Sequence, residues 1–136
     1  MGKDDLEKYF DSKIINILKD PEQRTLKYKY LSVVFWDVSG FANLCNKLVD
    51  EPLAIAELLK LYFQEAHDII HRHDGIIDKF IGNGVMAYFG YSSNDKQEMA
   101  LCAVNAALDL KEKFKDIKAY WSNKFVDKSI SLDGYI

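Results

Sequence analysis

Thiols are scarce in this chain: Cys45 and Cys102 are the two cysteines in 136 residues. Each sits within a helical apolar pattern, which fits buried, reduced thiols of a cytoplasmic protein better than a disulfide framework. No apolar run approaches the 18 residues of a membrane span. The N-terminus, MGKDDLEKYF, has no signal-peptide core, and Gly2 is not followed by the serine or threonine of a myristoylation site, since Leu6 stands there. Basic charge is not in excess either. The net charge of −3 gives no broad basic surface for nucleic acid. Internal repeats and low-complexity segments are absent. What remains, 49% hydrophobic and 29% charged residues, describes a folded globular domain with a core of its own.

Two stretches dominate, LSVVFWDVSGF at 31–41 and GIIDKFIGNGVMAYFG at 75–90. Both hold apolar runs with weak alternation, as expected of strands buried on both faces. The first ends on Asp37 and turns at Ser39-Gly40. The second is a predicted hairpin, 76–81 out and 85–89 back, with Asn83-Gly84 as the turn signal because both residue types tolerate positive φ. On the outgoing strand, alternation predicts that Ile77, Lys79 and Ile81 share one face and Ile76, Asp78 and Phe80 the other. Lys79 is then either an edge lysine keeping its ammonium in water or a functional cation.

Helices are expected around these strands. An amphipathic helix over 4–19 ends at Asp20-Pro21, and could pack on the body, cover an edge or pair with its own copy. A short helix over 41–49 comes after the first strand. A long one over 52–73 buries Ile55, Leu58, Leu59, Tyr62, Phe63, Ala66, Ile69 and Ile70, and stops at Gly75. After a capping box at Ser92-Ser93-Asn94 with Gln97, a fourth spans 95–119, with Ala100, Ala103, Val104, Ala107, Leu110, Phe114 and Ile117 inward. A last strand is expected over 129–136. The resulting fold class is α+β, a ferredoxin-like βααββαβ sheet with helices on one face, preceded by an N-terminal helix. The domain division is 1–29 for helix and linker and 30–136 for the body. The uncovered sheet face is expected to be apolar enough to meet another subunit or domain.

Two patterns carry possible chemistry. His67-Asp68-Ile69-Ile70-His71 places two imidazoles four apart, as in zinc proteases. Asp stands for the usual Glu, no third ligand is evident, and the pair falls on the polar stripe, which favours two exposed histidines. At the other pattern, the N–H groups of a helix start beside Asp37 attract phosphate oxygens. A carboxylate there repels phosphate unless a cation lies between, which suggests Mg²⁺. The plainer alternative is that Asp37 only caps its turn.

VVFWDVSGF and HDGIIDKFIGNGVMAYFG, in this order and at this spacing, resemble the two signatures of the class III nucleotide cyclases, the adenylate and guanylate cyclase catalytic domains. The lead-in KYFDSKIINILKDPE is similar to the segment joining regulatory domains to such domains. The resemblance implies that Asp37 and the Val38 carbonyl bind divalent metal, Mg²⁺ or Mn²⁺, and that Asn83 occupies the second metal position. It implies that the N–H groups of Val38, Ser39, Gly40 and Phe41 hold the phosphates of a nucleoside triphosphate, and that Lys79 reads the base, favouring adenine. The implied reaction is attack of the ribose 3′-oxygen on the α-phosphate of ATP, ahead of GTP, releasing pyrophosphate by two-metal catalysis. The resemblance further implies a site shared between two domains, in a homodimer or with a partner cyclase-like domain.

Three departures qualify this expectation. Asn83 replaces the family's second metal aspartate, so one anionic ligand is lost. Its Asn-Gly pair is also prone to deamidation. Ala42 stands where the family has threonine. The family's later half, with a second base contact and the Asn and Arg that stabilise the transition state, is expected beyond Ile136. Donors of that kind are worth about 10²–10³ in rate. The chain taken alone is thus expected to be a weak cyclase. The alternative is an inactive cyclase-fold module that dimerises or binds nucleotide in signalling.

Overall fold

The computed structural model describes residues 10–22 and 28–124. In chain order these form α1 (Ser12–Lys19), β1 (Ser32–Asp37), α2 (Phe41–Lys47), α3 (Pro52–Arg72), β2 (Ile76–Ile81), β3 (Gly84–Phe89) and α4 (Lys96–Lys124). The strands make one antiparallel sheet in the order β1-β3-β2. The body has the expected βααββα order of the α+β, ferredoxin-like fold. The strand expected at 129–136 and the first residues of the predicted N-terminal helix lie outside the described residues.

Helices α3 and α4 pack on one sheet face. Val34 and Trp36 of β1 and Val85, Ala87 and Phe89 of β3 point into this layer, against Leu58, Tyr62, Ala66, Ala106, Leu110 and Phe114. Pro52 opens α3, where its missing N–H leaves no bond unmade. The helix closes in a Schellman motif: Gly75 N donates to Ile70 O at 2.8 Å and Asp74 N to His71 O at 3.2 Å. The left-handed residue there is Asp74, φ 58°, and Gly75 directly after it completes the expected stop.

Three expectations shift. The buried line of α4 is Met99, Ala103, Ala106, Leu110, Phe114, Ile117 and Trp121, so Ala100 and Val104 face outward. Its cap is Asp95, whose Oδ1 accepts from Gln97 N at 2.8 Å, while Ser93 Oγ accepts from Asp95 N. In β2, a bulge between Ile77 and Lys79 breaks the alternation. Ile77 pairs with Ala87 on the helix-covered face, whereas Lys79 pairs with Met86 on the open face. The two residues therefore do not share a face, because a bulge inserts a residue and flips the side chains beyond it.

Helix α1 packs on the body. Asp11 caps it, accepting from Lys13 N at 2.8 Å, and the same carboxylate accepts from Ile77 N at 3.1 Å and meets His71 Nε2 at 2.8 Å. Lys13 Nζ donates to Asp74 Oδ1 at 2.6 Å and to Gly75 O. Ile15 is the buried residue of α1.

Candidate functional site

Register fixes where the predicted residues meet. Asp37 pairs with Gly84 and Gly84 with Ile81, so the end of β1 lies against the hairpin tip. Trp36 and Val38 on either side of Asp37 are buried, which turns the Asp37 carboxylate to the open face, where it is exposed. Gly84 makes room for it. A Cβ at that position would sit 2.8 Å from Trp36 O and 3.3 Å from Asp37 Oδ1.

Val38 anchors the adjoining turn in the core, and Phe41 packs against the same core at the start of α2. Between them Gly40 adopts φ 76°, a left-handed conformation, with open space around its Cα. Leu44 N donates to Gly40 O, so α2 begins there. The hairpin turn consists of Gly82 and Asn83, with Ile81 paired to Gly84. Positive φ falls on Gly82, at 60°, as in hairpins with glycine first, and not on Asn83-Gly84 as expected.

Beyond the strand pairing, a side-chain bond joins the two tips. Asn83 Nδ2 donates to Val38 O at 2.9 Å. No local sequence signal foretells this contact, since its partners are 45 residues apart.

Lys79 is exposed on the open face and ion-paired to Asp78 Oδ2 at 3.0 Å. From Asp37 it lies two strands across and two residue pairs along the sheet, about 12 Å between backbones at ordinary strand spacing. Another residue near Asp37 escapes sequence reasoning. The Tyr62 hydroxyl is buried with no hydrogen-bond partner among the described residues. Burial, and then the charge of Asp37, push its pKa well above the ordinary phenol range.

The donor set accommodates one cation better than two. Asp37 offers an exposed carboxylate, whereas the second tip offers only the neutral Asn83 amide, whose Nδ2 donates to Val38 O. Among the described residues no three His, Cys, Asp or Glu side chains cluster as metal ligands. The histidine pair is occupied otherwise. The His67 and His71 rings stack 4.3 Å apart, His67 Nδ1 meets Asp68 Oδ1 at 3.0 Å, and His71 is tied to Asp11.

The adenylate and guanylate cyclase catalytic domain model matches residues 24–126. The chain belongs to this family. It is 25% identical over 129 residues to an adenylate cyclase of Anabaena cylindrica, covering 89% of this chain and 24% of that protein. It is 30% identical over 89 residues to a cytidylate cyclase of Staphylococcus aureus, covering 62% and 20% respectively. The crystal structure of the adenylyl cyclase CyaB from P. aeruginosa superposes with a TM-score of 0.68 at 30% identity, covering 76% of this chain and 50% of that one. The chain thus spans a minor part of the curated relatives it matches and half of that solved cyclase. Within the cyclase domain, the family match contains β1, the hairpin and α4, whereas α1 precedes it. Among the described residues, no helix is long and apolar enough to cross a membrane.

Proposed function

We propose that this chain is the nucleotide-holding part of a cytoplasmic class III cyclase, acting on a nucleoside triphosphate, with ATP ahead of GTP. The observation carrying the reading is the meeting of two tips on the open sheet face: exposed Asp37 lies beside Gly84, and Asn83 reaches Val38. Asp37 would hold a divalent cation, Mg²⁺ or Mn²⁺, together with phosphate oxygens, since Mg²⁺ binds through one or two carboxylates plus substrate phosphates. Such a cation neutralises charge on the phosphates.

The protein's own contribution is position. The turn Val38–Phe41, pinned by two core side chains, presents peptide N–H groups beside Asp37 to the phosphates. Lys79, a donor without acceptor capacity, suits an acceptor on the base such as adenine N1. Attack of the ribose 3′-oxygen on the α-phosphorus forms the cyclic ester and releases pyrophosphate. A second cyclase-fold domain, a copy of this chain or a partner, would close the site over the open face.

Asn83 favours a second reading for part of this role, binding or dimerisation without turnover, because an amide stands where the family has a carboxylate. Titration calorimetry with non-hydrolysable ATP and GTP analogues, with and without Mn²⁺, tests the proposal. The expected result is Mn²⁺-dependent binding, tighter for ATP, weakened at least about tenfold by Asp37→Ala, the loss of a charge-assisted contact. Binding indifferent to both Mn²⁺ and Asp37 would sink it. Binding without any cyclic product from ATP supports the second reading.

A further inference from the structure

We infer that the Asn83 amide is an internal substitute for a cation, so that this site takes one divalent ion per nucleotide and not two. The inference rests on the nucleotide-binding reading for its cation count, but its structural part stands alone. The β1–α2 turn and the hairpin turn are held together by Asn83 Nδ2 donating to Val38 O at 2.9 Å. The amino end must face that carbonyl, because Oδ1 in its place would set two acceptors against each other.

The same acceptor-against-acceptor conflict defines what a carboxylate would do. An aspartate at 83 carries only acceptors at neutral pH, so beside Val38 O it is repelled unless a cation lies between the two oxygens. Asparagine turns that demand into a satisfied donor–acceptor pair. A cation at Val38 O would have to use the carbonyl's second lone pair beside the partly positive amide hydrogens, or displace the bond and accept the rotated amide as an uncharged ligand. The tips are therefore joined without metal, and among the described residues Asp37 remains the carboxylate available to an ion at this end of the sheet. Pairing of Asp37 with Gly84 brings the two turns together whatever occupies residue 83, so a variant changes the chemistry of the contact and leaves the strand register in place.

Two measurements on the intact chain test this, with Asn83→Asp and Asn83→Ala as variants. The first is thermal unfolding without nucleotide, in chelator and in Mn²⁺. Both variants are expected to melt about 3–6 °C lower than the parent in chelator, the shift that loss of one such bond produces in a domain of this size. Mn²⁺ should restore Asn83→Asp, and it should move neither Asn83→Ala nor the parent by a comparable amount. The second is a count of Mn²⁺ per bound non-hydrolysable ATP analogue by equilibrium dialysis with electron paramagnetic resonance. One ion is expected for the parent and two for Asn83→Asp. Two ions on the parent overturn the inference, and so does an Asn83→Asp variant as stable in chelator as the parent. Failure of every protein to bind the nucleotide analogue overturns the nucleotide reading instead, and the melting series then decides the role of Asn83.

Discussion

Gly84 lies against Asp37 and the buried Tyr62 phenol feels its charge, and each makes a distinct prediction. At Gly84 a methyl group would fall 2.8 Å from the Trp36 carbonyl and 3.3 Å from Asp37 Oδ1. Backbone cannot yield there without opening the β1–β3 pairing. Gly84→Ala should therefore destabilise by about 1–3 kcal/mol, as overpacking does, and should shift the Asp37 carboxylate. Denaturant unfolding and Mn²⁺-dependent nucleotide binding should both worsen; a variant with unchanged stability would refute the close approach. Tyr62 is the opposite case. Its hydroxyl is buried without a partner among the described residues, and an unsatisfied buried polar group costs about 1–3 kcal/mol. Tyr62→Phe removes that group and keeps the ring that meets Phe114 edge-on. The melting temperature should stay level or rise, and a clear fall would show that the hydroxyl has a bonding role.

Among the elements, α1 is held by polar groups more than by core packing. The Asp11 side chain is only 2% exposed, and it serves α1, β2 and α3 at once through Lys13 N, Ile77 N and His71. Asp11→Ala removes a helix cap, about 1 kcal/mol, and orphans the Ile77 N–H, about 1–3 kcal/mol more. Amide exchange should accelerate in α1 and at Ile77 while the α3–α4 core stays protected; uniform protection would refute the clasp. The second strap has a pH signature. Its hydrogen bond with Lys13 holds Asp74 below the usual carboxylate range. A carboxylate with its folded pKa depressed contributes above its unfolded pKa, near 4, and loses that contribution as pH falls through the lower folded value. Docking of α1 should thus hold through neutral pH and loosen only in acid. The exposed position of Asp74 keeps the effect small.

The same elements show what sequence can reveal. β1, the hairpin and α3 are legible because apolar runs, Pro52 and the glycine-bearing turn are local signals. The bulge at Asp78 is not, because it exists only relative to β3, and it is what carries Lys79 to the open face. The inward side of α4 is equally hard to read. Alanines lie on several sides of the helix, and contact with α3 and the sheet selects Ala103 and Ala106 over Ala100. For the site, Asp37 and the turn at Gly40 are readable from strand end and glycine. The Asn83–Val38 bond is not, since it joins two turns distant in sequence.

At the scale of the whole molecule, the sheet has one covered face and one open face, and the open one carries both the candidate site and exposed apolar side chains. Val33 is 50% exposed, Phe35 68% and Ile81 52%. Register sets Asp37, Gly84 and Ile81 in one row across this face and Phe35, Met86 and Lys79 in the next. A group of large apolar residues beside a carboxylate and a lysine is poorly suited to bulk water and well suited to a second domain that shares the nucleotide. Phe35 is the sharpest probe because its exposure means the isolated chain does not need it. Phe35→Glu should leave the unfolding midpoint of the monomer within about 0.5 kcal/mol, the range for surface changes. It should also shift sedimentation toward monomer and lower nucleotide affinity along with dimer affinity. Loss of self-association with nucleotide binding intact would place the whole nucleotide site within one copy. Unchanged self-association would move the interface to another face, leaving Asp37 and Lys79 to work from an open sheet.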